Sequence, residues 1–141
     1  MTIFFALLLA SGIALAAPTI ELTAGMHRIE AEVASTPGDR ATGLMNRAAL
    51  PQQRGMLFVF PEPGLQCFWM KNTLIPLSIA FLDEDGRIVH IADMQPQSLE
   101  NHCSPKPVRF ALEMNAGWFS RRGLAPGARI SGIGKAAPTR F

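Results

Sequence analysis

Arg40 and Arg47 stand seven residues apart with Gly43 between them, a spacing that puts all three on one face of an α-helix. Two guanidinium groups with no side chain between them can clamp a carboxylate or a phosphate bidentately. The same pair can instead turn inward, onto acids such as Glu113 or Asp93, and lock the helix to a sheet; this structural use is the favoured one. Trp69, Lys71 and Asn72 form a second candidate group. An exposed indole beside an ammonium and an amide suits a sugar or a peptide backbone. The plainer expectation is that Trp69 packs on a disulfide while Asn72 and Thr73 satisfy turn amides. Trp118 and Phe119 read as core.

Cys67 and Cys103 are the only cysteines. In an oxidising compartment such a pair usually closes, and bridging a loop of that length stabilises a fold by about 3–4 kcal/mol. Two separate thiols are one alternative. Another is a soft-metal site for copper or zinc built from Cys67, Cys103, His102 and His90, with Met94; the spacing matches no compact zinc pattern. Six of the seven methionines are internal and stand singly within apolar segments, which suits core filling better than copper handling.

Catalysis has little support. Neither G-x-S-x-G nor H-E-x-x-H occurs. His27 and His90 fall in strand patterns, and His102 could activate the neighbouring Cys103 thiol only if that thiol were free. Asp83-x-Asp85-Gly86 is a turn, far short of a calcium loop. No cofactor is implied. The formal charge is only +2, so no concentrated basic stripe points to nucleic acid.

The elements that must position these groups are mostly strands. Residues 19–22 and 27–35 read as two strands around a turn at Gly25; in the second, Ile29, Ala31 and Val33 alternate with Arg28, Glu30 and Glu32. Thr36-Pro37-Gly38-Asp39 opens a helix, with Thr36 as cap, Pro37 at its first position and Asp39 at its positive end. Ala41, Leu44, Met45 and Ala48 follow at helical spacing, so the helix is expected to run to just before Pro51 with those residues on the core. Strands are expected at 55–60, 67–71, 77–82, 87–94, 110–114 and 129–131, with a hairpin turn at Asp85-Gly86. Residues 95–107 read as a loop. A short helix at 116–122 is expected to be capped by Asn115 and stopped by Gly123.

The N-terminus sets the compartment. Residues 3–17 (IFFALLLASGIALAA) are apolar or small throughout, and the first charged side chain is Glu21. The run is too short for a comfortable transmembrane helix of about 20 residues, but it fits a secretory signal. Ala14-Leu15-Ala16 predicts cleavage before Ala17, although no Lys or Arg precedes the run. An uncleaved membrane anchor is the alternative. The organisation expected is a signal peptide at 1–16, one domain at 17–131 and a flexible tail at 132–141.

Three stretches carry a resemblance: Arg40-Ala41-Thr42-Gly43-Leu44-Met45-Asn46-Arg47, then Gly55-Met56-Leu57-Phe58, then Phe68-Trp69-Met70-Lys71-Asn72-Thr73 with Ile75-Pro76-Leu77. In that order, with Leu112, Glu113 and Gly117 beyond them, they resemble the family called domain of unknown function 192 (DUF192). The resemblance spans roughly residues 20–131. It implies a small β-rich domain, often behind a signal peptide, and no established activity. Ser78 departs from it, standing where many members carry Asp, and the two cysteines look like a subgroup feature.

The fold expected is α+β: one small β-rich domain with a curled, barrel-like antiparallel sheet and two short helices. The function expected is that of an exported, periplasmic envelope protein that binds an unknown small ligand or an envelope protein partner without catalysis, touching a membrane only through an uncleaved signal. Arg40, Arg47, Trp69, Lys71, Asn72 and Glu113 are the binding candidates. An enzyme of unrecognised class is the alternative, and a concave pocket holding both arginines and a perturbed acid would favour it. A soft-metal protein ranks third.

Overall fold

The computed structural model describes residues 17–136. The expected signal segment at 1–16 and the last part of the expected tail, 137–141, lie outside the described residues. Strands β1 (Thr19–Ala24) and β2 (His27–Ala34) form a hairpin closed at Gly25, whose φ of 58° suits a residue without a Cβ. Then come α1 (Pro37–Thr42), β3 (Arg54–Gly64), β4 (Cys67–Phe68), β5 (Leu77–Leu82), β6 (Ile88–Met94), β7 (His102–Cys103), β8 (Val108–Asn115) and α2 (Trp118–Arg121).

Six strands make one mixed sheet in the order β1-β2-β3-β8-β5-β6, and β4 and β7 make a separate two-stranded ladder. The expected curled, barrel-like, wholly antiparallel sheet is corrected: β2 and β3 run parallel, and edge strands β1 and β6 do not pair with each other. The reason is the long connection between β2 and β3. It carries α1 back across the sheet and delivers β3 in the direction of β2, whereas hairpins give antiparallel neighbours. The expected strand at 129–131 is a pair of isolated bridges, Ser131 to Thr23 and Arg129 to Arg87. Its main chain touches both edges: Ile130 N–H donates to Gly86 O at 2.8 Å, and Ser131 N–H to Thr23 O at 2.8 Å. Beyond it, Ile133 opens a 3-10 turn (Ile133–Lys135) and is packed into the core.

Each face of the sheet carries a core, as period-two alternation requires. On β3, Leu57 and Val59 join Leu22, Leu112 and Trp118 on one face, while Met56 and Phe58 join Leu44, Met70, Ile79 and Phe81 on the other. Strands such as β5, buried at every residue and apolar but for Ser78, follow from that two-sided covering.

Both helices are shorter than the spacing suggested. Thr36 caps α1, its Oγ1 accepting from Asp39 N–H at 3.1 Å, and Pro37 sits at the first turn. The helix stops at Gly43, with φ 48° and ψ −132°, instead of continuing to Pro51. Ala41 and Ala48 are therefore exposed, and Leu44 reaches the core from a loop. Gly117, rather than Asn115, caps α2; Asn115 Nδ2 donates instead to Leu50 O at 2.8 Å and anchors that loop. The strand expected at 67–71 is the two-residue β4, and its partner β7 lies inside the segment read as loop.

Candidate functional site

The sheet face that carries Phe58 also carries Glu113, because β8 sends Phe110, Leu112 and Met114 to the first core and Ala111 and Glu113 the other way. Glu113 pairs in register with Met56 of β3 and Ile79 of β5. It is 4% exposed, and burial pushes its carboxyl up to about 8. Burial is the one cause of that rise, and among the described residues no side chain forms a salt bridge or hydrogen bond with the carboxyl. At neutral pH it is mostly protonated, so it can both donate and accept.

Above Glu113 lies a cavity of about 250 Å³. Phe58, Phe60 and Glu113 contribute from the sheet; Arg40 to Met45 contribute from the end of α1; Cys67, Phe68, Trp69 and Thr73 contribute from β4 and the turn after it. Phe68 stands edge-on to Phe58 at 4.9 Å between ring centroids, so the aromatic wall is a packed unit. Gly43 is needed where the helix turns into this roof. Its φ is positive, and a Cβ there would stand 3.4 Å from Phe58 Cζ.

Arg40 is held at this cavity by the main chain. Its Nη1 donates to Ser35 O at 2.8 Å and to Val59 O at 3.0 Å, and its guanidinium lies 5.2 Å over the Phe60 ring. Among the described residues no acid pairs with Arg40, and α1 and β3 together orient it. Arg47 does something else. It grips Glu32 of β2 with both terminal nitrogens, Nη2 to Oε1 at 2.8 Å. Glu32 is 4% exposed, and this bond is the chief reason the Arg47 guanidinium is raised. The expected pairing with Glu113 or Asp93 is corrected: among the described residues Glu113 has no cationic partner, and Asp93 accepts from Ser78 Oγ at 2.6 Å, while Arg47 takes Glu32 as its internal acid. The two arginines do not share a helix face either, because the helix ends between them at Gly43. Arg47 lines a different hollow, with Glu32 and Asp39.

Trp69 is 47% exposed and stands at the cavity with Lys71 Nζ 5.3 Å over its ring. Lys71 and Asn72 do not line it. Asn72 has φ 57°, and its carbonyl accepts from Asn46 N–H at 2.8 Å, so it is a turn residue that pins the loop after α1. The structure thus brings together Arg40, Trp69 and Glu113, attaches Lys71 through Trp69, and leaves Arg47 and Asn72 outside.

A disulfide joins Cys67 and Cys103, which face each other across the β4–β7 ladder. The soft-metal set loses both its thiolates to this bond. His90, stacked on Phe81, and Met94, buried in the core, hold other places. Among the described residues no group of three His, Cys, Asp or Glu is placed to hold a metal ion. The Ser78 hydroxyl ties elements together, accepting from Gly117 N–H at 2.9 Å while it donates to Asp93.

Sequence reading missed Phe58, Phe60 and Phe68 as cavity walls, and Glu32 as the partner of Arg47. A signal for Glu113 was present: it is a lone acid inside an apolar run. Glu32 gave no such signal, since it sits on the regular polar side of its strand.

The family model DUF192, described as uncharacterized ACR, matches residues 20–132. Among solved structures, the chain resembles a proposed transcription regulator from Sinorhizobium meliloti 1021, at 38% identity and a TM-score of 0.76, over 81% of this chain and 92% of that one. It also resembles a protein of unknown function from Novosphingobium aromaticivorans DSM 12444, at 34% identity and a TM-score of 0.78, over 81% of this chain and 85% of that one. No curated protein matches the chain. Among the described residues no helix is long and apolar enough to cross a membrane.

Proposed function

The chain belongs to the DUF192 family, and from that premise we propose that it is an exported envelope protein that binds a small ligand, without catalysis, in the cavity over Glu113. One observation carries the reading. A carboxyl buried in the sheet, without a hydrogen-bond partner among the described residues, faces an aromatic cavity that also holds an oriented, acid-free guanidinium. A carboxyl held in an apolar sheet with no partner among the described residues has its hydrogen-bonding capacity left for a ligand in the cavity. The cavity has the apolar walls and few convergent polar groups of a small-molecule site. It is smaller than the usual drug-sized pocket of about 300–1,000 Å³, so a small ligand fits best. Export is supported by the apolar run at residues 3–17 with its Ala14-Leu15-Ala16 site and by the cysteine pair closed as a disulfide.

The raised Glu113 carboxyl also favours a second reading, an acid–base enzyme, since perturbed acids cluster in active sites. Binding is preferred because, among the described residues that line the cavity, no histidine, lysine or second carboxylate stands beside Glu113.

Native mass spectrometry of protein recovered from the cell envelope tests the proposal. The expected species begins at Ala17, has no free thiol and carries a non-covalent small molecule that Glu113→Ala loses. A full-length, reduced chain in the cytosol overturns the export half. A ligand-free wild type or a ligand kept by Glu113→Ala overturns the binding half.

A further inference from the structure

Resting on the binding site just described, we propose that its ligand class is a small organic carboxylate with a flat apolar body, its carboxylate taken by Arg40 and Glu113 and its body by the ring wall of Phe58, Phe68 and Trp69.

The charge inside the cavity decides between ligand classes. Of its lining residues only Arg40 and Glu113 are charged types. The elements around Glu113 add no further charge to the site: β5 brings Ile79 opposite it and β3 brings Met56. Arg54 at the start of β3 pairs with Glu30 at 4.0 Å, and Arg109 on β8 turns its Nε to Phe60 O at 2.9 Å. With the carboxyl protonated by burial, the cavity carries the single positive charge of Arg40. An anion is attracted to that charge, and a protonated carboxyl gives it one hydrogen bond that an ionised one cannot. A cationic ligand meets the opposite arrangement, like charge at Arg40 and a neutral acid. Arg40 is suited to the task because its Nη1 is engaged by Ser35 O and Val59 O, which fixes the plane of the guanidinium before any ligand arrives. The walls select the body: Phe58 and Phe68 pack edge to face as one apolar wall, against which a flat apolar group can lie.

Three probes of one shape and different charge test this on the full disulfide-bonded protein: benzoate, benzamide and benzylamine, titrated by calorimetry. Benzoate is expected to bind most tightly at about pH 6 and to weaken by up to about tenfold per pH unit once Glu113 ionises. Benzamide is expected to hold its affinity across the same range. Glu113→Gln, which keeps a donor but cannot ionise, is expected to make benzoate binding insensitive to pH. Arg40→Gln is expected to weaken benzoate about tenfold while keeping benzamide, and that retained affinity shows the variant's cavity is intact. Preference for benzylamine or benzamide overturns the carboxylate class and leaves the binding site standing. Failure of all three to bind overturns both. Benzoate binding untouched by either substitution places the anion elsewhere and also overturns the proposal.

Discussion

Arg47 holds Glu32 in a two-point grip that ties the loop after α1 to β2, and it does so on the far side of Gly43 from the cavity where Arg40 stands. The pair divides two outwardly equivalent arginines into a structural one and an available one. It also explains how an acid on the polar side of β2 comes to be buried: its charge is met by a guanidinium that matches both oxygens.

Removing the grip tests the structural role. Arg47→Ala leaves Glu32 buried without its partner and is expected to destabilise the fold by about 1–3 kcal/mol, reduced from a fully buried pair because Arg47 is partly exposed. Adding Glu32→Gln to that variant is expected to restore part of the loss. Chemical unfolding of the four members of the cycle measures it, and additive losses contradict a direct pairing.

The Glu113 carboxyl makes stability depend on pH. Its ordinary value is 4.5, and the folded protein raises it to about 8. Between those values the unfolded chain has released a proton that the folded chain keeps, so rising pH favours unfolding. The contribution is present in full below 4.5, declines from there to about 8, and changes no further above it. Glu113→Gln removes the decline, and the variant is expected to gain on the wild type from pH 5 to pH 8 by on the order of several kcal/mol. Denaturant midpoints measured across that range check this; parallel pH profiles for the two proteins contradict it.

Opening the Cys67–Cys103 bond, which closes a sequence separation of 36, is expected to cost about 3–4 kcal/mol. A two-residue ladder has too few main-chain bonds to hold itself, so hydrogen exchange is expected to rise first at β4 and β7 and at Trp69. The Cys67→Ser/Cys103→Ser variant, compared with the oxidised protein by melting and exchange, shows whether the loss is confined there.

Gly43→Ala puts a Cβ at φ 48° and 3.4 Å from Phe58 Cζ. The expected cost is about 1–3 kcal/mol from the backbone alone. The added methyl also narrows the cavity, so ligand affinity is expected to fall more than melting temperature does. A variant that melts like the wild type contradicts the strain.

Much of the fold was legible because its signals are local. The cap at Thr36, the hairpin turns at Gly25 and Gly86, and the alternation in β2 each depend on residues within a few positions of one another. What failed was any inference that assumed a local pattern would continue. Helical spacing runs on past Gly43 through Leu44, yet the backbone leaves the helix at Gly43, whose positive φ turns the chain, and Leu44 is buried from the loop that follows. The site was half legible. Arg40, Trp69 and Glu113 stood among the candidates, but their grouping without Arg47 and Asn72 did not follow from spacing.

The amino-acid sequence by itself determined the family, the strand-rich composition of the domain and the alternating faces, because residue type and period act over short stretches of chain. Tertiary structure alone decided the parallel β2–β3 pairing, the partner of each arginine and the raising of Glu113. Those three depend on which segments distant in sequence come to lie against one another. A carboxyl's charge in particular is set by how much water and which counter-charges its neighbours leave it.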